Sequence, residues 1–168
     1  SCRHISISLN KHNHSISTIM KKTILFSLMA IMALSVSAKR VVGIHSHNDY
    51  NRTFPFFDAY KAHCTSIEAD IFLFDGQLYV AHDEEDVRSW RTLTTMYLNP
   101  IKKLYEAFGS CGYADGTTYM LTVDLKDGAE TLDALEKVIA DGYLECFDVE
   151  HNPCAITVCI SGDVVQPE

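Results

Sequence analysis

At 168 residues with a formal charge of −8, the chain has the size of one domain. All 22 acidic residues and only 10 of the 14 basic ones lie beyond residue 38, so residues 39–168 carry a net −12. Such an acidic domain has no general basic surface for nucleic acid or anionic membranes, although a bound divalent cation would reverse the field locally.

Residues 1–19 contain no acidic residue and read as an upstream extension before Met20. Met20-Lys21-Lys22 opens a basic segment, Ile24–Leu34 is apolar, and Val36-Ser37-Ala38 has the small-residue pattern of a signal-peptidase site. Residues 20–38 therefore read as a signal peptide cleaved after Ala38, its apolar run too short to span a bilayer. That reading implies export to a periplasm or out of the cell, no transmembrane segment after cleavage, and a folded part at 39–168. Loss of Cys2 with the leader leaves five cysteines. Cys146 and Cys154 form the best candidate disulfide pair, Cys64 and Cys159 read as small core residues, and no spacing resembles a zinc ligand set.

Strand and helix patterns then alternate. Val41–Ile44 reads as a first strand, and Thr53 with Pro55 opens a helix running to about His63. Ser66–Phe72 is a second strand, Asp75-Gly76 a tight turn, and Gln77–Ala81 a returning extended segment. Asn99 or Pro100 opens a helix ending near Gly109. Tyr119–Leu125 is a third strand, with Asp124 and Lys126 at its end. Leu132, Leu135, Val138 and Ile139 mark one face of a helix over 130–140, stopped by Gly142. Ala155–Ile160 is apolar enough to be a fourth strand buried on both faces. This β-α-β-α-β-α-β order predicts an α/β domain with a parallel sheet, of the TIM-barrel (β/α) type. Its length matches the N-terminal half of a (β/α)8 barrel.

The chemistry-bearing residues close the strands: His45-Ser46-His47-Asn48-Asp49-Tyr50, then Glu68-Ala69-Asp70, then His82-Asp83. Strand alternation puts Glu68 and Asp70 on one face, and His45 and His47 likewise. Two carboxylates, an amide and separated imidazoles can hold a hard cation and move protons around a phosphate. Asp83 reads as a turn cap or a support for His82, His63 and His151 as surface residues, and Trp90, Tyr97 and Tyr105 as core.

Ser46-His47-Asn48-Asp49-Tyr50, Glu68-Ala69-Asp70 and His82-Asp83 together resemble the superfamily of phosphatidylinositol-specific phospholipases C and glycerophosphodiester phosphodiesterases. The wording His-Ser-His-Asn-Asp-Tyr is most similar to the branch containing a fungal mitochondrial-inheritance protein. The resemblance spans roughly residues 41–126. It implies a TIM barrel with a divalent cation, Mg2+ or Ca2+, at the strand ends, hydrolysing a phospholipid headgroup or glycerophosphodiester. By position it implies His47 and His82 as the acid–base pair, with His45 lining the site. Asn48, Glu68, Asp70 and Asp124 match metal ligands, and Lys126 lies near the phosphate. The glycerophosphodiesterase pattern has an arginine directly after its first histidine, whereas Ser46 and Asn48 stand at those positions here. A monomer is expected. Two other readings stay open: a zinc-dependent amidohydrolase or polymerase-and-histidinol-phosphatase-type hydrolase with His45 and His47 as ligands, and an inactive fragment or binding scaffold.

Overall fold

The computed structural model describes residues 43–163. The expected extension, signal peptide and residues 41–42 lie outside the described residues. Within them, β1 (His45–Ser46), β2 (Ser66–Phe74), β4 (Met120–Leu125) and β5 (Thr157–Gly162) form a parallel sheet in the order β1-β2-β4-β5. The third strand in chain order, β3 (Gln77–Val80), pairs antiparallel with β2. Asp75 and Gly76 join them with φ of 49° and 76°. These are the two left-handed positions that a two-residue hairpin turn demands, and Asp-Gly meets them at low cost.

The helices are α1 (Phe57–Lys61), α2 (Asn99–Phe108), α3 (Ala129–Gly142) and the short α4 (Leu144–Phe147). As expected, α2 ends at Gly109, in the left-handed region with its N–H on the Tyr105 carbonyl. A π-helical turn, Thr94–Leu98, leads into α2. It had no counterpart in the sequence reading, because its apolar residues merge with those of the helix that follows. Gly142 does not stop α3 but forms its last residue, and the chain turns at Tyr143. The first strand also starts later than expected, at His45 itself, so this imidazole stands within the sheet.

Why the sheet is one-sided follows from the alternation of its strands. Ile67, Ala69 and Ile71 of β2 and Leu121, Val123 and Leu125 of β4 are fully buried, sharing one core with Ile101 of α2 and Leu135 of α3. The opposite face carries Ser66, Glu68 and Asp70 beside Met120, Thr122 and Asp124, and Met120 is exposed. Parallel strands are ordinarily covered on both faces, so this polar face is the unusual one. The expectation that residues 155–160 are buried on both faces is corrected here: Thr157 and Cys159 are exposed, Val158 and Ile160 half-buried. The strand is last in the sheet order among the described residues, and one of its faces belongs to the uncovered side.

Gly162 ends β5 with φ +82°, and a Cβ there would strike the Leu125 carbonyl and approach Asp124 Oδ1 to 2.8 Å. Gly116 also has positive φ, with open space around it. Gly162→Ala is expected to lower unfolding free energy by about 2–4 kcal/mol, and Gly116→Ala by about 1. Urea denaturation of the two variants checks this.

Candidate functional site

Register builds the site. Asp70 of β2 faces Asp124 of β4, which faces Ser161 of β5, so the three lie in one row across the sheet. Neighbouring strands stand about 4.8 Å apart, too close for two carboxylates without a counter-charge. Lys126, two residues past Asp124, supplies it: Nζ lies 2.9 Å from Asp70 and 2.7 Å from Asp124. Ser161 donates its hydroxyl to Asp124 at 2.8 Å. Burial pushes the Asp124 carboxyl up, but Lys126 and Ser161 outweigh it and hold it below the usual range. Burial likewise opposes the Lys126 charge, and its two carboxylates raise its pKa nonetheless.

Asp70 is almost completely covered, and one of its oxygens receives three donors: Tyr50 hydroxyl at 2.9 Å, His82 Nδ1 at 2.9 Å and Lys126. Burial, then the Asp70 hydrogen bond, drives the Tyr50 phenol upward. Two residues earlier on the same face, Glu68 accepts the Asn48 backbone N–H at 3.0 Å. It also meets His45 Nε2 at 3.3 Å and His47 Nε2 at 3.7 Å. The other nitrogen of His45, Nδ1, lies 2.9 Å from Ser66 Oγ, itself 2.9 Å from Thr122 Oγ1, which orients that ring. The imidazoles face solvent, His47 71% exposed and His82 54%, while the carboxylates behind them are 14% and 2% exposed. Groups that can touch a ligand are thus backed by groups that cannot leave.

The expected residues stand in two groups on one face of the sheet, His45, His47 and Asn48 around Glu68 and His82, Lys126 and Asp124 around Asp70, with Tyr50, Ser66, Thr122 and Ser161 beside them. Asn48 contributes its backbone N–H to Glu68; its φ of 47° is a left-handed conformation that asparagine tolerates. Asp83 caps the short turn Glu84–Asp86 by position, with no side-chain hydrogen bond. His63 and His151 are exposed, as expected; His151 pairs with Asp148. Trp90 is not core but exposed, Tyr97 is fully buried and Tyr105 half-buried. Cys64 is buried as expected, whereas Cys159 is exposed because its strand face is the uncovered one. All five described cysteines are free, so the expected Cys146–Cys154 pair is not joined in the structure.

A hard divalent ion suits this donor set in chemistry and charge, since Glu68, Asp70 and Asp124 outnumber the one ammonium by two negative charges. Lys126 stands between Asp70 and Asp124, Glu68 is turned to His45 and His47, and among the described residues no three His, Cys, Asp or Glu groups converge to ligand distance.

The buried hub beneath the site is Asp49. Its carboxylate is fully enclosed and accepts from Ser46 hydroxyl at 2.8 Å, Phe56 N–H at 2.6 Å and Tyr97 hydroxyl at 3.0 Å. Sequence reading gave it no role, because its partner Tyr97 is 48 residues away.

Paired carboxylates and imidazoles on one face of a parallel α/β sheet are consistent with a phosphodiesterase-like domain. The chain belongs to the AIM6-like phosphodiesterase domain family, whose profile matches residues 33–166. That match begins upstream of the expected cleavage after Ala38. Among similar proteins, an altered inheritance of mitochondria protein 6 homolog from Arthroderma benhamiae is 34% identical over 108 residues, 53% of this chain and 34% of its own length. Altered inheritance of mitochondria protein 6 from Lachancea thermotolerans is 32% identical over 160 residues, 79% of this chain and 37% of its own. The chain thus spans about a third of the length of these relatives. Their names tie them to mitochondria, and the expectation of a periplasmic or secreted protein is withdrawn on that finding. No solved structure matches the chain. No helix among the described residues is long and apolar enough to cross a membrane.

Asp49→Ala is expected to cost about 3 kcal/mol or more by orphaning three enclosed donors, and Tyr97→Phe about 1–2, in equilibrium denaturation. The depressed Asp124 carboxyl contributes stability fully above its unfolded value of about 4, lost as pH falls through the folded value. The raised Lys126 contributes below about 10.4, lost as pH rises through its folded value. Asp124→Asn is therefore expected to be less stable than the parent at pH 7, with the gap closing below about pH 4 in urea titrations.

Proposed function

We propose that the chain is the opening half of a (β/α)8-barrel phosphodiesterase, carried on residues 39–168, that hydrolyses a phospholipid headgroup or glycerophosphodiester. The carrying observation is the pair of exposed imidazoles, His47 and His82, each backed by a covered carboxylate on the same face of β2. The polar, partly exposed face of the sheet supports the barrel reading, because a barrel turns that face inward and sets its site at the carboxyl ends of the strands.

In this reading His47 takes the proton from the attacking hydroxyl or water, and His82 returns one to the leaving oxygen. Imidazole performs both roles near neutral pH. Glu68 and Asp70 hold the two rings in place, and His45 closes the wall beside His47. Lys126 offers its ammonium to a non-bridging oxygen. Glu68, Asp70 and Asp124 with Asn48 would hold Mg2+ or Ca2+, which when bound neutralises charge developing on the phosphoryl oxygens. The acidic surface makes nucleic acid an unsuitable substrate. A second reading is favoured by one feature: His45 and His47 both turn Nε2 toward Glu68, as a zinc-hydrolase site would require.

Hydrolysis of bis(4-nitrophenyl) phosphate with added Mg2+ or Ca2+ tests the proposal. Glu68→Ala and His82→Ala should each lower kcat/KM by about 100-fold or more, His151→Ala should leave it unchanged, and chelation should abolish it reversibly. Retention of activity by Glu68→Ala, or tight zinc lost on replacing His45 and His47, would reject it.

A further inference from the structure

Beside the catalytic row, on the far side of Tyr50, lies a cleft of about 450 Å3 between the segment preceding α1 and the one leading into α2. Its volume falls within the range of about 300–1,000 Å3 usual for small-molecule sites. The walls are apolar, and three large side chains on them stand open to solvent: Trp90 at 70%, Phe54 at 64% and Phe57 at 55% exposure. Three neighbouring aromatic rings left in water are a cost that a bound apolar group removes.

Arg91 and Arg52 line the cleft, Arg52 standing between it and a neighbouring pocket that holds Asp58, and no carboxylate lines the cleft itself. Arg91 is held in place, donating to the Tyr50 carbonyl at 3.0 Å with its guanidinium 5.5 Å from the centre of the Tyr50 ring. Among the described residues neither Arg52 nor Arg91 has a carboxylate partner. In a domain this acidic, Arg91 held at the cleft and Arg52 at its border give it a local charge of the opposite sign. Beside its arginines the lining offers three hydroxyls, of which that of Tyr50 is bonded to Asp70 and that of Thr53 is left for a polar ligand group. The Thr95 hydroxyl is already committed to Thr92 and to the Trp90 carbonyl. The rest of the lining suits hydrocarbon.

We infer that this cleft binds an anionic amphiphile, with its hydrocarbon tail against Phe54, Phe57 and Trp90 and its charged group at Arg52 and Arg91. The inference deepens the phosphodiesterase reading and rests on it for its meaning. Tyr50 is the shared wall, bonded to Asp70 on one side and lining the cleft on the other. Of the two substrate classes proposed, the cleft selects the phosphodiester that keeps its acyl chain over its deacylated derivative.

Trp90 is the single tryptophan of the chain, so its emission reports the cleft alone. Titration with dodecyl phosphate, below its aggregation concentration, should shift that emission to the blue and saturate. Dodecyl maltoside, with the same tail uncharged, should half-saturate at a concentration at least ten-fold higher, and glycerol 3-phosphate should produce no shift. Arg52→Gln and Phe57→Ala, both at exposed positions that do not endanger folding, should each weaken the dodecyl phosphate response several-fold. Equal responses to the charged and uncharged amphiphiles, an equal response to glycerol 3-phosphate, or no shift at all would overturn the inference. Hydrolysis of the soluble aryl diester is read separately. A silent Trp90 with active hydrolysis defeats the cleft alone, whereas a responding Trp90 without hydrolysis defeats the phosphodiesterase reading.

Discussion

Asp49 is the point on which the loop over the site turns. A carboxylate removed from water is costly unless every oxygen finds a donor, and here the donors come from three separate elements: Ser46 on β1, Phe56 ahead of α1 and Tyr97 in the π-helical turn. Burial and the Asp49 charge drive the Tyr97 phenol upward, which keeps it a proton donor to that carboxylate. Because the three donors are far apart in the chain, satisfying one carboxylate fixes the relative positions of the first strand, the loop after it and the approach to α2. His47, Asn48 and Tyr50 ride on that loop, so the geometry at Glu68 and Asp70 is inherited from a bond network beneath it.

The same network holds a strained turn. Phe56 has φ 66° and ψ −55°, with the Phe57 N–H on the Pro55 carbonyl at 2.8 Å, the geometry of the rare γ-turn of the higher-energy hand. Such a conformation costs about 1–3 kcal/mol. It is offset by complete burial of the Phe56 ring, worth about 2–3 kcal/mol, and by the short bond from its N–H to Asp49. The turn sends Phe56 inward while Phe54 and Phe57 emerge at the surface, which is how a well-buried core and an open aromatic cleft arise within four residues.

Charge placement explains the rest of the site. Parallel pairing brings Asp70 and Asp124 side by side, and an arrangement of like charges survives only because Lys126 stands between them. Stability and chemistry therefore share residues. Removing Lys126 would both unbalance the row and take away the cation that shares Asp70 with the His82 imidazole. The helix-covered face of the sheet, by contrast, is ordinary packing of Ile, Val and Leu and asks nothing of the site.

Much of this was legible in the amino-acid sequence. Period-two alternation in Ser66–Ile71 put Glu68 and Asp70 on one face, Asp75-Gly76 specified the hairpin, and Gly109 ended α2, because each is set by neighbours two to four residues away. The site histidines were visible for the same reason, standing next to short apolar segments. What the sequence could not contain is which partners meet across the sheet. The Asp70–Asp124–Ser161 row, the Asp49–Tyr97 bond and the exposure of Cys159 and Trp90 depend on strand order, register and which face the helices cover. Local pattern determines how a residue points along its own strand; only tertiary packing decides what stands opposite, since that is settled by burial summed over the whole domain.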